Sequence, residues 1–296
     1  MSADAIERLA LYFGTGSTRQ AYLARQVIGR PLPGDPRLAD RLRQELAAGV
    51  RADGTVSGGA VPTIWRVHEL LDLGHAEDSS AVTRPLAWML RLQDQPGAFH
   101  YGCDRDRHAR RLCQHYIAGF FAPAPPTQRL APVTLPTGKV YRVESAARFA
   151  ISCLALRAAL RAGYEERPAI RRHLQSLAQV SEQWTDWNGY FAPDVIVAGL
   201  HALARGGRDY RPVVRRLVDL VTANQGVEGD WPAADLFQVL DALLAADTPE
   251  AQVTVRRATT ALTARQRADG TFGVRTQPER ALIGLRAILW AARAPA

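Results

Sequence analysis

The sequence lacks the features that mark membrane-spanning, secreted and disulfide-stabilised proteins. Its 296 residues include three cysteines, an odd and small number that does not fit a disulfide framework. No apolar run reaches the ~18 residues that a membrane-spanning helix requires. The first residues, MSADAIERLALYFG, are acidic and amphipathic, unlike a secretory signal. We therefore expect a cytoplasmic protein without a transmembrane segment. Peripheral contact with a membrane is compatible with this expectation.

Lysine is almost absent from the chain. Lys139 is the only lysine among 37 basic residues, and the formal net charge is +8. The arginines are scattered, whereas a nucleic-acid interface needs a basic patch with interleaved aromatic residues, so we expect no nucleic-acid partner. With 47% hydrophobic and 22% charged residues, the composition is typical of a globular protein with a sizeable core.

A glycine recurs along the chain with a period near 41 residues. In three of five units a glutamine stands four residues before it, and in four units an aromatic residue stands two residues after it. The glycines are Gly54, Gly97, Gly189, Gly229 and Gly270. Their intervals are 43, 92, 40 and 41 residues, so the second interval holds one unit and an insertion. Such a period indicates supersecondary units that stack on one another.

Each unit has the pattern of two helices joined by a turn. The glycine supplies the positive φ that ends the first helix, the glutamine can bond the backbone groups left unpaired there, and the aromatic residue can wedge between helices. The predicted inner helices cover 18–29, 62–73, 142–162, 193–206, 232–246 and 278–293. The predicted outer helices cover 1–13, 37–48, 79–93, 166–180, 209–224 and 249–266. This pattern predicts an all-α fold: one (α/α)6 toroid domain over 1–296, with an insertion at about 98–141 over one mouth of the barrel.

Two of the turns carry a family resemblance. LVTANQGVEGDW (220–231) and LTARQRADGTF (262–272) resemble the "QW" repeats of squalene–hopene-type cyclases. PDVIVAGLHAL (193–203) and AADLFQVLDALL (233–244) resemble the helices that follow such repeats. The same repeat marks the wider terpenoid cyclase and protein prenyltransferase α/α toroid superfamily. The resemblance implies the toroid fold and a cyclase-like (isomerase or lyase) or prenyltransferase-like enzyme whose substrate is an isoprenoid or another apolar small molecule.

The catalytic motifs of that superfamily are incomplete in this chain. Class II cyclases protonate an alkene with an Asp-x-Asp-Asp motif, and the nearest match, at 104–107, has two of the three acids. The Asp-Asp-x-x-Asp motif of class I cyclases is absent, because no two aspartates are adjacent. The resemblance still implies acid-initiated chemistry in the lumen. We assign no cofactor from the sequence, and zinc is a possible one.

The candidate site residues come from the insertion and from polar or aromatic positions on the inner helices. An acid stands near the start of four inner helices, either as a helix cap or as part of a ring of carboxylates at one mouth. The catalytic candidates are Asp104, Asp106, His108, His115, Glu144, Asp194 and Asp235, and Glu279 is the fourth helix-start acid. The candidate substrate-binding residues are Trp65, His68, Arg148, Phe149, His201 and Trp231, whose aromatic members are expected to line the lumen and stabilise a cation.

The segment 100–126 is rich in histidine and cysteine. Cys103, Cys113 and His115 are candidate zinc ligands, since zinc sites use these residue types. If 107–121 is one helix, His108 and His115 lie two turns apart, too far to bind one ion. Two alternatives therefore remain: a zinc-dependent transferase or hydrolase that uses 100–115, and a non-catalytic toroid that binds a ligand or a protein partner.

Overall fold

The computed structural model describes residues 2–93, 99–103, 115–120, 129–187, 193–273 and 277–293. These residues contain twelve α-helices and two short hairpins. The helices are α1 (Ser2–Phe13), α2 (Arg19–Ile28), α3 (Asp35–Ala48), α4 (Ala60–Asp72), α5 (Ser80–Arg91), α6 (Glu144–Arg161), α7 (Pro168–Ser181), α8 (Pro193–Leu203), α9 (Arg211–Ala223), α10 (Leu236–Ala246), α11 (Pro249–Ala264) and α12 (Gln277–Ala291). None of these described helices is long and apolar enough to cross a membrane.

The even-numbered helices form an inner ring, and the odd-numbered helices pack outside it. Neighbours contact in the order α4, α6, α8, α10, α12 and α2, and an ion pair between Arg19 of α2 and Asp72 of α4 links the remaining two helices. Every residue of α8 is buried, whereas the outer helix α9 buries one face. This arrangement confirms the predicted all-α toroid of six inner and six outer helices.

The recurring glycines allow each turn to contact the backbone of the next outer helix. Gly54, Gly229 and Gly270 have φ values of 91°, 87° and 84°. A Cβ added at any of them would lie less than 3.0 Å from a carbonyl oxygen of that helix. The three oxygens belong to Arg84, Arg257 and Arg8, respectively. Glycine is required here for both its conformation and its size, and the contact with Arg8 lets α1 close the ring.

The glutamines bond the turns and the neighbouring helices together. Gln225 Nε2 donates to Gly229 O at 2.9 Å and to Thr254 O of α11 at 3.0 Å. Gln266 Nε2 donates in the same way, to Gly270 O at 3.3 Å and to Ala5 O of α1 at 3.0 Å. The glutamine therefore satisfies carbonyl groups of its own turn and of the next repeat.

One inner helix, α10, begins four residues later than the sequence predicts. The pattern predicts a helix from residue 232, but α10 starts at Leu236. Ala233 has a positive φ of 61°, and the side chain of Asp235 accepts hydrogen bonds from Phe237 N and Gln238 N. Asp235 is thus the N-cap, and the helix begins after it because its side chain satisfies those amide groups.

The insertion contains two short antiparallel strand pairs. β1 (His100–Cys103) pairs antiparallel with β2 (His115–Ala118), and β3 (Val133–Thr134) pairs with β4 (Val140–Tyr141). β2 packs on α6 and β1 packs on α7. A single helix over 107–121 is therefore wrong at 115–118, where cross-strand hydrogen bonds replace helical ones and Tyr116 and Ile117 suit a strand.

Candidate functional site

The inner helices bring eight ionisable side chains close to one another inside the ring. We call this group the lumenal cluster: Arg19, His68, Asp72, Arg157, Arg161, His201, Asp241 and Glu279. Each of the six inner helices contributes at least one of these residues. Their contacts link helices that are far apart in sequence, such as α2 and α12.

Arg19 is the buried cation that joins three inner helices. Its guanidinium pairs with Asp72 of α4, and Nη2 donates to Glu279 Oε2 of α12 at 2.5 Å. The other oxygen of Asp72 accepts from Arg161 Nη2 at 2.7 Å. Burial alone would lower the pKa of Arg19, but the neighbouring carboxylates raise it. Arg19 therefore stays charged at the centre of the cluster.

Glu279 lies in the first turn of α12 and is 9% exposed. Its Oε2 accepts hydrogen bonds from Arg19 Nη2 and from Gln20 Nε2, the latter at 2.9 Å. Its Oε1 makes no hydrogen bond to another described residue. Burial raises the pKa of Glu279, and the charges of Asp241 and Asp72 add to this rise, while Arg19 and Gln20 oppose it. Glu279 therefore holds a proton more strongly than an ordinary glutamate does.

His68 is a neutral imidazole fixed by two neighbours. Nε2 lies 3.3 Å from Leu154 O, and Nδ1 lies 3.1 Å from Arg161 Nη1. Because the guanidinium can only donate, Nδ1 accepts and Nε2 carries the proton. Burial lowers the pKa of His68 well below its ordinary value, and nearby arginines lower it further. The ring of Trp65 lies 5.1 Å from that of His68 and 5.5 Å from Arg19 Cζ, so Trp65 borders the cluster.

Asp194 and Asp235, two of the predicted helix-start acids, meet at the N-terminal ends of α8 and α10. Asp194 Oδ1 accepts from Asp235 N at 3.1 Å, and the Asp194 carboxylate pairs with Lys139. Asp235 Oδ2 pairs with Arg280 Nη2 at 2.7 Å. Tyr141 Oη donates to Asp194 O at 3.1 Å. Asp235 therefore caps α10, as the capping interpretation predicts, whereas Asp194 binds Lys139 and the backbone of Asp235.

Glu144 and Arg148 connect the insertion to α6. Glu144 Oε2 accepts from Leu130 N and Ala131 N at 2.8 Å each, and Oε1 accepts from Arg148 Nε at 2.7 Å. Burial would raise the pKa of Glu144, but these hydrogen bonds lower it. Glu144 is therefore held as a carboxylate that anchors residues 130–131.

Two of the three candidate aromatic residues pack away from Trp65. Phe149 lies 5.3 Å from the ring of Phe99 and 6.1 Å from the ring of Trp184. Trp231 donates through Nε1 to Val221 O of the outer helix α9 at 2.8 Å. Both side chains fill the core between helices, so the structure does not bring them together with Trp65 in the lumen.

Most of the predicted acid and zinc candidates of the insertion lie outside the described residues: Asp104, Asp106, His108 and Cys113. The two remaining candidates are Cys103 and His115, whose backbone is described. The register of the hairpin places Cys103 directly opposite His115. Within the described ranges, no group of three or more His, Cys, Asp or Glu side chains could hold a metal ion.

Sequence reasoning missed Arg19, Arg157, Arg161 and Asp241 as members of the cluster, although it selected His68, His201 and the helix-start acid Glu279. A signal was present in the inner helices. Asp241 is the only charged residue within α10, and Arg157 and Arg161 stand one turn apart in the otherwise apolar second half of α6. An isolated charge in a buried helix needs a partner, because burial of an unpaired charge is costly.

Comparison with known proteins places the chain among solved toroids. Neither a family model nor a curated protein matches the sequence. A variant of the type II terpene cyclase MstE from Scytonema, in complex with its substrate geranylgeranyl dihydroxybenzoate, is 14% identical over 98% of this chain and 97% of that chain, with a TM-score of 0.59. A protein from Actinoplanes is 14% identical over 99% and 100%, with a TM-score of 0.58.

A larger enzyme matches over part of its length. The ent-copalyl diphosphate synthase from Streptomyces platensis is 17% identical over 95% of this chain and 50% of that chain, with a TM-score of 0.51. Identities this low establish the fold, and chemistry must be argued from the site. The chain therefore has the terpenoid cyclase-like α/α toroid fold.

Proposed function

We propose that the protein is a terpenoid cyclase-like enzyme that protonates a double bond of an isoprenoid substrate in the barrel lumen, with Glu279 as the proton donor. The observation that carries this proposal is the environment of Glu279. It is a buried carboxyl group on an inner helix, with both hydrogen bonds on Oε2 and a raised pKa. The toroid fold, which this chain shares with type II terpene cyclases, supports the same reaction class.

The arrangement around Glu279 supports proton transfer in two ways. Burial raises the pKa of Glu279, which favours the protonated acid that this proposal needs, and we assign the proton to Oε1 because both hydrogen bonds are on Oε2. When the π electrons of the alkene take that proton, the carboxylate that remains is stabilised through Oε2 by Arg19 and Gln20. The cation formed on the substrate rearranges and then loses a proton to a base, so the reaction is an isomerisation without net consumption of acid.

Trp65 and His68 are proposed to form the part of the lumen next to the proton donor, Glu279. The indole face of Trp65, beside Arg19, can stabilise a substrate cation by ~0.5–2 kcal/mol. His68 is neutral and fixed by Leu154 O and Arg161, so it adds no positive charge that would repel a carbocation. Asp106 and His115 of the insertion remain alternative proton donors.

Substitution of Glu279 by glutamine tests the proposal. Glu279→Gln keeps the shape but removes the proton, and we expect turnover of a prenylated substrate panel to fall by ~10²–10⁴-fold. Product formation is measured by mass spectrometry for this variant, for Asp106→Asn and His115→Ala, and for the surface control Glu228→Gln. Wild-type turnover in Glu279→Gln would exclude it as the donor, and a comparable loss in Asp106→Asn or His115→Ala alone would assign the role to the insertion.

A zinc-dependent transferase or hydrolase is kept as the second candidate because of one observation. Cys103 and His115 are cross-strand partners, which places their Cα atoms side by side on one hairpin. Two such residues, with Cys113 nearby in sequence, have the chemistry of zinc ligands.

A further inference from the structure

The lumenal cluster is closed to solvent in this structure. Arg19, His68, His201 and Glu279 are each no more than 9% exposed. A ligand as large as an isoprenoid therefore reaches Glu279 only when part of the protein moves. The helices of the two rings are packed on one another, so a segment between helices is the part that opens at the lowest cost.

Residues 133–141, which we call the strap, lie on the first turns of the inner helices. The strap consists of β3, a turn and β4. Its Lys139 pairs with the carboxylate of Asp194 at the start of α8. Tyr141 Oη accepts a hydrogen bond from Gln238 Nε2, in the first turn of α10, at 2.6 Å. The strap therefore bridges the beginnings of two neighbouring inner helices.

Arg280 fastens the strap to a third inner helix, α12. Its Nε donates to Thr137 O of the strap at 2.8 Å, and its Nη2 donates to Asp235 Oδ2, the N-cap of α10, at 2.7 Å. Arg280 directly follows Glu279 in the first turn of α12. The strap thus covers the mouth at which α8, α10 and α12 begin, next to the helical turn that carries Glu279.

The closed strap is held mainly by polar contacts, and it leaves two polar atoms unsatisfied. Its β-ladder has two residue pairs. Thr137 Oγ1 and Gln238 Oε1 are buried without a partner among the described residues. Water that enters when the strap lifts can satisfy both atoms, which offsets part of the cost of breaking the other contacts. Opening of the strap should therefore cost much less than unfolding of the protein.

We propose that the strap is a gate over this mouth of the lumen, with the Lys139–Asp194 ion pair and the Arg280–Thr137 hydrogen bond as its latch. That an isoprenoid passes through the opened mouth rests on the function proposed above, whereas the opening itself does not. Closure keeps water away from Glu279 and fixes the helical turn that carries it, because Arg280 belongs to the same turn.

Cys153 of α6 is a native reporter of the gate. It is buried, and it stands one turn before Arg157 of the lumenal cluster, on the same face of α6. β4 packs on α6. Burial raises the pKa of Tyr141 well above its ordinary value, and Cys153 is among the groups whose charge raises it further. Cys153 is therefore close to both the strap and the cluster.

Alkylation of Cys153 by iodoacetamide tests the gate. Burial raises the pKa of its thiol well above the ordinary value, so the residue reacts only when it becomes exposed. Peptide mass spectrometry follows Cys153 separately from the other two cysteines. We expect Lys139→Gln, which removes a charge-assisted contact of the latch, to be alkylated ~10–100-fold faster than the wild type. Lys139→Arg keeps the charge and should react far more slowly than Lys139→Gln. Equal rates in the wild type and Lys139→Gln would overturn the gate.

A destabilised variant away from the mouth separates opening of the strap from unfolding of the whole protein. Leu217 is buried on the outer helix α9, and Leu217→Ala should lower the free energy of unfolding by leaving a cavity. Its rate of Cys153 alkylation should nevertheless stay at the wild-type value. Urea denaturation gives the free energy of unfolding of each variant. Alkylation rates that follow this free energy across all variants, including Leu217→Ala, would contradict the gate.

The same measurement separates the gate from the proposed function. Glu279→Gln should lose turnover and keep the wild-type alkylation rate, because Glu279 bonds Arg19 and Gln20 rather than the strap. Farnesol, as an isoprenoid probe, should slow alkylation by filling the lumen. Absence of protection by farnesol, in a protein whose alkylation still depends on Lys139, would contradict the isoprenoid ligand and support the gate alone. Turnover that depends on Glu279, with equal alkylation rates in the wild type and Lys139→Gln, would support the proposed function alone.

Discussion

The aromatic residue Trp231 of the repeat acts through its volume and through one hydrogen bond. Trp231 is 3% exposed and packs with a hydrogen bond of 2.8 Å from Nε1 to Val221 O. It therefore fills space between α9 and α10 and also satisfies a carbonyl group at the end of α9. The sequence spacing of the aromatic residue predicts this wedge, because a large side chain just after a helix-ending turn faces the neighbouring helix.

Loss of Trp231 should be severe. We expect Trp231→Ala to lower the free energy of unfolding by ~3–5 kcal/mol, because it leaves a large cavity. Trp231→Phe keeps most of the volume and loses the hydrogen bond, so its cost should be smaller, ~1–3 kcal/mol. Urea denaturation followed by circular dichroism measures both. A loss below ~1 kcal/mol in Trp231→Ala would show that the side chain is not a wedge.

At the scale of elements, the hairpin of β1 and β2 is the unit that departs from the repeat. It packs on α6 and α7, and Phe120, just after β2, stacks on His173 of α7 with ring centroids 3.7 Å apart. A Cβ at Gly119 would overlap the Ser152 side chain, so the backbone lies directly on α6. This close approach is what holds the hairpin against the barrel.

The hairpin also contains two of the candidate zinc ligands, Cys103 and His115. If it holds zinc through Cys103, Cys113 and His115, protein purified without a histidine tag should contain about one zinc per chain by elemental analysis. The double variant Cys103→Ser with Cys113→Ser should then lose the metal, and the single variant Cys153→Ser, at a buried cysteine of α6, should keep it. Full zinc content in the double variant would place the metal elsewhere, and no zinc in the wild type would remove the zinc-dependent alternative.

At the scale of the whole molecule, the buried histidines make stability depend on pH. His68, His173 and His201 are all buried, and burial lowers the pKa of each, that of His173 to about 4. The unfolded chain has ordinary histidines with pKa values near ~6.5 and so binds more protons below that pH. Stability is therefore fully present above pH ~6.5 and is lost as the pH falls toward 4.

Histidine replacement checks that window. Both ring nitrogens of His173 are buried without a partner among the described residues, so His173→Phe removes an unsatisfied polar ring and keeps the stacking on Phe120. The free energy of unfolding should fall between pH 7 and pH 4 in both proteins. We expect the fall to be smaller in the variant, by up to about 3 kcal/mol. Denaturation curves across this range measure the difference. Parallel pH profiles for the two proteins would contradict a depressed pKa at His173.

The toroid itself was determined by the sequence alone. A glycine recurs near every 41 residues, with a glutamine before it and an aromatic residue after it. Each of these residues meets a local need of the turn: the glycine adopts a positive φ, the glutamine bonds the end of the helix, and the aromatic residue fills the gap between helices. Repetition of such turns makes helices stack, so twelve helices in two rings follow from local chemistry. The same reasoning gave capping as one of two interpretations of Asp235, but it did not predict that α10 begins only after that residue.

The tertiary structure decided which polar residues form the site. Helical periodicity assigns a residue to a face, but it does not say which residue of another helix that face meets. Glu279 and Arg19 come from opposite ends of the chain, and their contact exists only because the ring closes. Arg157, His201 and Asp241 lie on three different inner helices, and only the placement of those helices in the ring brings them together. The fold follows from contacts near in sequence, whereas the site follows from contacts between helices far apart in it.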